Sequence, residues 1–329
     1  MSGVKNVLVT GGAGYIGSHT VKQLRKQGFR TVAYDNLIQG SRRLVLADDF
    51  VRGDLADKDL LKKVMADYEI DAVMHFAAHC RVGESVAKPE KYYDNNLING
   101  LKLLQAMIEE RIEYLIFSSS AAIYGDPEEI PIPETHRKKP DSPYGRTKWL
   151  FEQLLPDYGE AHGISSVSLR YFNAAGSDPE GEIGEIHDPE THLIPIVLEV
   201  AAEKREKIEI YGTNYNTDDG TPVRDYIHVN DLASAHIKAL EKIREEESWM
   251  AESFNLGTGK GYSVREVIDA CKKVTGKDIE AVEGDRRPGD PPILVAEPSK
   301  AIKELDWQTE FSDLENIVET AWRWMRSQY

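Results

Sequence analysis

The chain has 329 residues, 41% of them apolar and 29% charged, with a formal net charge of −16; this is a globular composition with material for one large or two medium domains. The acid excess repels polyanions and no basic face is gathered against it, which excludes nucleic acid as a partner, and no run approaches the ~18 uncharged apolar residues of a membrane span. Two cysteines, Cys80 and Cys271, are too few for a disulfide framework, and MSGVKNVLVTGG lacks a secretory pattern, so the expected compartment is the cytoplasm.

The first half alternates short β-branched runs with amphipathic stretches. NVLVT (6–10) reads as a strand and leads directly into TGGAGYIGSH, where glycines at 11, 14 and 17 run into a helix over 18–27. Small residues at that turn let backbone approach a pyrophosphate, and the helix N-terminus offers free N–H groups, so Gly11, Gly14, Tyr15, Ile16 and Gly17 form a candidate phosphate loop. A second strand, RTVAYD (30–35), ends in Asp35, placed to accept from the adenosine ribose hydroxyls, with Asn36 beside it. An acid there repels a 2′-phosphate, which favours NAD over NADP. After a third strand comes VRGDLAD, with Asp54 and Leu55 set towards the adenine, and then a helix over 58–68. DAVMHFAA (71–78), YLIFSSS (114–120) and SSVSLRYFN (165–173) read as further strands, with helices over 89–110 and 142–162 between them. Near-continuous apolar strands separated by helices predict an α/β, doubly wound parallel sheet covered on both faces.

Beyond residue 173 the pattern loosens. AAGSDPEGEIGEIHDPETH is a loop longer than compact domains carry without a functional reason. It precedes a helix over 193–204, short strands at IEIYG and RDYIHV, helices over 230–243 and 263–275, and a final amphipathic helix over 312–329. The expected organisation is a dinucleotide domain over 1–174 and a smaller mixed α/β substrate domain over 175–329, with residues near 229–258 folding back onto the first.

Within SPYGRTK, Tyr144 stands four residues before Lys148, and it is the only tyrosine in the chain with lysine at that distance. On a helix these positions share a face, so the ammonium lies alongside the phenol and favours phenolate. FSSSAAIYG ends its strand at the carboxyl edge, where ligands sit in open parallel sheets, and brings Ser118 and Ser120 to the same place. His75 and His79 flank a strand end and do not share a helical face, so they read as core or pocket-edge residues and no metal is expected.

The glycine spacing, the strand-end serines and SPYGRTK together resemble the extended short-chain dehydrogenase/reductase superfamily, a Rossmann fold. The ordered series VTGGAGYIGSHT, YDNL, GDLAD, HFAA, VGESV, YYDNN, SSSAAIYGD, LRYFNAAG, HDPETHLIPIV, DGTPVRDYIHVNDLA, FNLGTGKGYSV and RRPGD spans nearly the whole chain and is similar to its UDP-sugar 4-epimerase family. That resemblance implies a cytoplasmic homodimer, pairing through the helices over 89–110 and 142–162. It implies inversion at C4, UDP-galactose to UDP-glucose, through a transient 4-ketose and with tightly held NAD. Ser120, Tyr144 and Lys148 would be the catalytic set. Phe76, Ala77, Ala78, Asn95, Ser118 and Tyr171 would join the cofactor contacts. Phe172, Asn173, His192, Leu193, Tyr211, Arg224, Arg287 and Asp290 would meet the UDP-sugar.

Two positions depart from the family. Cys80 stands where many relatives carry Lys or Ser, and Leu294 stands where a tyrosine goes with restriction to glucose and galactose and a small residue with acceptance of N-acetylated sugars. UDP-N-acetylhexosamines, UDP-pentoses and UDP-hexuronates therefore stay open as substrates. A dehydratase would need an acid just after the serines, where this chain has Ala121 and Ala122. A non-catalytic NAD sensor would not need Tyr144 and Lys148.

Overall fold

Alternating apolar and β-branched residues give β1 (Asn6–Thr10), β2 (Arg30–Asp35), β3 (Asp49–Arg52), β4 (Ala72–His75), β5 (Tyr114–Ser120) and β6 (Ser165–Tyr171) in a computed structural model that describes residues 3–287 and 289–328. Between them run α1 (Tyr15–Lys26), α2 (Lys58–Asp67), α3 (Val82–Ala87), α4 (Pro89–Tyr92), α5 (Asn99–Glu109) and α6 (Pro143–His162). The later elements are β7 (Asn173–Ala175), α7 (Leu193–Ala201), β8 (Ile208–Tyr211), β9 (Val223–Arg224), β10 (Tyr226–His228), α8 (Val229–Glu245), β11 (Ala251–Leu256), β12 (Tyr262–Ser263), α9 (Val264–Thr275), β13 (Ala281–Gly284), β14 (Ile293–Leu294), α10 (Ser299–Glu304) and α11 (Leu314–Ser327).

Seven strands form one sheet in the order β11-β6-β5-β4-β1-β2-β3, and every pairing in it is parallel. The period of two decides what each face buries. Val7 and Val9 pack with Val21, Leu24, Leu232 and Leu240 of α1 and α8, while Leu8 points the other way into Leu103, Met107 and Phe151 of α5 and α6. A third core, including Val197, Val267, Ile317 and Val318, joins α7, α9 and α11 in the smaller C-terminal part. The chain leaves β1 towards β2 on one side and β4 on the other, so the crevice beyond the carboxyl ends of β1 and β4 is the topological switch point where ligands bind in such sheets.

The structure differs from the sequence-based expectation at four places that shape this crevice. Residues 89–110 are not one helix, because a wide π-type turn, Tyr93–Ile98, separates α4 from α5. The strand expected through residue 173 stops at Tyr171, and β7 pairs with β10 in a separate ribbon. RDYIHV is broken at Asp225, whose buried carboxylate turns aside to accept N–H groups from Thr258, Gly259 and Ala296. The sheet also gains β11, an edge strand whose AESFNL sequence carries too many polar residues to stand out as an apolar run. Through α8 and β11, residues after 228 return to the first half.

Candidate active site

Close backbone packing builds the candidate phosphate loop. Gly11 sits at φ +76° and donates its N–H to Tyr34 O at 2.8 Å, while Gly14 N–H donates to Gly11 O at 3.0 Å. A Cβ on Gly17 would lie 2.3 Å from Gly11 O, and one on Gly11 would lie 2.7 Å from Ala77 N, so neither position admits a side chain without moving backbone. α1 starts with no side-chain cap and no acid in its first turn, which leaves its N–H groups and the positive end of its dipole to the cleft. At the end of β2, Asp35 is only 8% exposed and accepts N–H groups from Ala13 (3.0 Å) and Leu37 (2.8 Å); burial outweighs those bonds and raises its pKa.

These elements line a cleft of about 440 Å³ running between the sheet and the C-terminal part. It gathers Gly11, Gly14, Tyr15, Ile16, Gly17, Asp35, Asn36, Leu55, Phe76, Ala77, Ala78, Asn95, Ser118 and Tyr171 with Ser120, Tyr144 and Lys148, and at its other end Phe172, Asn173, His192 and Arg224. Cys80 and Leu294 line it too. Five expected residues are not in that wall. Asp54 sits behind Asn36, accepting from its Nδ2 at 2.8 Å. Leu193 turns into the third core. Asp290 is ion-paired to Arg224, and the Arg287 guanidinium lies 4.0 Å over the Tyr211 ring. That last pair covers one aromatic face expected to meet a base.

Nonlocal contacts hold the candidate catalytic residues. Ser142 caps α6 by accepting from Gly145 N–H at 3.1 Å, and Pro143 fixes its first turn, which presents Tyr144 and Lys148 to the cleft. The wide turn brings Asn95 inward while buried Asn96 donates to His79 O (2.9 Å) and to Thr147 Oγ1 (3.2 Å). Beneath them Arg170 of β6 forks onto Glu152 of α6, with Nη2 to Oε2 at 2.6 Å; Glu152 also accepts from Ser119, and Arg170 donates to Tyr124 at 3.0 Å. His75 is core, bonded to Thr10 at 2.7 Å and stacked on Phe117, and burial lowers its pKa to about 3.

One electrostatic expectation needs correction. The i,i+4 spacing predicts that Lys148 lowers the Tyr144 phenol, but its Nζ donates to Ser118 O at 2.6 Å and lies 4.9 Å from the Phe117 ring. Burial instead raises the Tyr144 phenol well above its usual value, with Cys80 adding to the rise and a hydrogen bond with Ser120 opposing it. Burial likewise lowers Lys148 from 10.5 to about 8. The protein alone therefore favours the protonated phenol.

His79 lines the cleft, in keeping with its pocket-edge reading, and several other lining residues escape sequence-based reasoning, Tyr34, Gln39, Glu185 and His187 among them. The last two lie in the long loop, where the spacing E-x-H-x-x-E-x-H is an available signal.

A doubly wound sheet with a glycine-rich turn, an acid ending β2, and serine, tyrosine and lysine at the carboxyl edge defines a nicotinamide-dependent enzyme of the short-chain dehydrogenase/reductase type. The chain belongs to the NAD dependent epimerase/dehydratase family, whose model matches residues 7–257. It is 49% identical to the UDP-glucose 4-epimerase of Halalkalibacterium halodurans over 97% of this chain and 95% of that one. Among solved structures it matches UDP-glucose 4-epimerase from Brucella ovis in complex with NAD, at 48% identity and TM-score 0.94 over 97% of each chain. It also matches UDP-glucose-4-epimerase from Stenotrophomonas maltophila with bound NAD and formylated UDP-arabinopyranose, at 40% identity and TM-score 0.95 over 98% of each chain. NAD is the cofactor, and the glycine cradle with Asp35 fits it. Among the described residues no helix is long and apolar enough to cross a membrane.

Proposed function

We propose that the protein interconverts UDP-galactose and UDP-glucose by reversible oxidation at C4, in the cytoplasm. The observation that carries this reading is that Ser120, Tyr144 and Lys148 share one cleft with the glycine cradle and Asp35. Bound NAD supplies a hydride acceptor that later returns the hydride, and its positive ring supplies the charge that the phenol lacks. Tyr144 removes the proton from the sugar 4-hydroxyl and gives it back after the ketose has presented its other face. Ser120 holds the reacting oxygen, and Lys148 fixes the end of β5 that carries it by donating to Ser118 O. Arg224 and Arg287 suit the diphosphate because guanidinium matches its oxygens in pairs. For Arg224 this means exchanging its bond to Asp290 for the ligand.

Residues 1–174 would then hold the cofactor and 175–329 close over the UDP-sugar, with α8 and β11 supporting the first unit. Pairing of two chains through α5 and α6 is supported by apolar side chains left outward on and beside those helices, including Val86 (64% exposed), Ile98 (48%) and Leu150 (36%). Leu294 packs with Phe172 against Ile123 and Tyr124 at the sugar end, where a side chain smaller than tyrosine leaves room for an acetamido group or a different C5 substituent. A panel of UDP-hexoses, UDP-N-acetylhexosamines and UDP-pentoses, assayed without added reductant and with product stereochemistry determined, tests the reading. Absence of C4 interconversion for every sugar would falsify it.

A further inference from the structure

The loop 176–192, between β7 and α7, folds so that Glu185, His187, Glu190 and His192 each bring one ligand-capable atom within 4.8 Å of the others. Nδ1 of His192 lies 2.7 Å from Oε1 of Glu185 and 2.9 Å from Oε1 of Glu190. Nδ1 of His187 lies 2.9 Å from Oε1 of Glu185 and 3.8 Å from Oε2 of Glu190. Four ligands about 2.1 Å from a tetrahedral zinc ion stand roughly 3.4 Å from one another, a separation these distances bracket.

The surroundings favour a built site over a chance surface cluster. The two carboxylate side chains are 7% and 9% exposed, and among the described residues their ion pairs are only to these two histidines. Glu190 is held in place from behind by the N–H groups of Thr191 (2.7 Å) and His192 (2.8 Å). Arg81 pins the same loop by donating to Asp188 O at 2.9 Å, and the Tyr15 ring meets His187 edge-on at 6.4 Å between centroids. Fixing of metal-binding side chains by such contacts is the habit of metal centres.

We propose that Glu185, His187, Glu190 and His192 form a four-coordinate structural site for one zinc-class divalent cation, which fastens the loop at the mouth of the cleft. Two imidazoles with two carboxylates suit zinc, whereas calcium and magnesium prefer six or more oxygens or retained water. Four protein ligands leave no open position, so the ion's role is to hold shape. Glu185, His187 and His192 all line the cleft. Loosening them raises KM for the UDP-sugar more than it lowers kcat, an effect that rests on the function proposed above; cation binding itself does not.

The test is equilibrium dialysis of the chelator-treated full chain with Zn2+, metal counted per chain by mass spectrometry, followed by Co2+ substitution. The expected result is one Zn2+ per chain and the intense visible absorption of tetrahedral Co2+. His187→Ala and Glu190→Gln should each weaken Zn2+ binding tenfold or more with an unchanged far-UV circular dichroism spectrum as the folding control, and His187→Cys, which supplies a thiolate ligand, should restore it. Substoichiometric binding by the wild type, equal binding by wild type and variants, or the weak spectrum of octahedral Co2+ would each overturn the proposal.

Discussion

Replacing Lys148 by methionine keeps much of the side-chain volume and removes the charge. Lys148 is 3% exposed, and burial lowers its pKa from 10.5 to about 8. At about 1.4 kcal/mol per pH unit, holding the ammonium in the folded chain costs about 3 kcal/mol. Between pH 8 and 10.5 the folded state binds fewer protons than the unfolded one, so stability rises with pH there, and the cost is felt in full below pH 8. At pH 7 the variant should therefore be more stable by about 1–3 kcal/mol, which raises Tm by roughly 2 °C per kcal/mol. The Tyr144 phenol is raised by burial and by Cys80, and Lys148 Nζ is turned onto Ser118 O, so removing the ammonium should leave the acid limb of the pH profile of kcat in place. Calorimetry and a pH series of kcat read both effects. An acid limb moved upward, or a variant less stable than wild type at pH 7, would refute this electrostatic reasoning.

Gly17→Ala sets a Cβ 2.3 Å from Gly11 O, which forces roughly 1 Å of movement between loop and helix; about 1–3 kcal/mol of stability and much of the NAD should be lost, read by thermal melting and by cofactor content, and a full cofactor complement would contradict it. Glu152→Ala leaves the Arg170 guanidinium buried without its partner, with side chains 5% and 6% exposed in the intact pair; about 3–5 kcal/mol should be lost, and the double change Glu152→Met with Arg170→Met should recover most of it in denaturant titrations. Cys80 is exposed in the cleft and Cys271 is buried, so iodoacetamide should modify Cys80 alone and inactivate the enzyme, with NAD and UDP-sugar protecting; unprotected labelling, or inactivation of Cys80→Ser, would show that the cleft is placed wrongly. Leu294→Tyr should narrow the sugar end and cut turnover of any UDP-N-acetylhexosamine at least tenfold more than that of UDP-galactose, compared as kcat/KM.

Local features of the sequence carried the sheet and the residues that line the candidate cofactor half of the cleft. The turn after β1 and Asp35 at the end of β2 are encoded within a few residues, because a backbone contact such as that between Gly11 and Gly17 tolerates no other residue. The features that stayed hidden depend on distant partners. Asp225 interrupts a strand because Thr258, Gly259 and Ala296 supply its hydrogen bonds, and β11 is a strand because β6 offers it an edge. Arg170 and Glu152 are ordinary charges in one dimension and a buried brace in three. The electrostatics of Tyr144 and Lys148 elude the sequence for the same reason: i,i+4 spacing shows that two groups are near, but burial, which sets both pKa values, is a property of everything packed around them.

Transient oxidation at C4 makes a claim that an isotope can test. In that mechanism the hydrogen leaves the carbon as a hydride and returns to it from the same cofactor, while only the hydroxyl proton passes through Tyr144. With UDP-galactose deuterated at C4 and ordinary water as solvent, the UDP-glucose formed should keep its deuterium at C4. Replacement of that deuterium by solvent hydrogen would mean that the carbon had lost a proton instead, and would contradict hydride transfer to and from a resident nicotinamide.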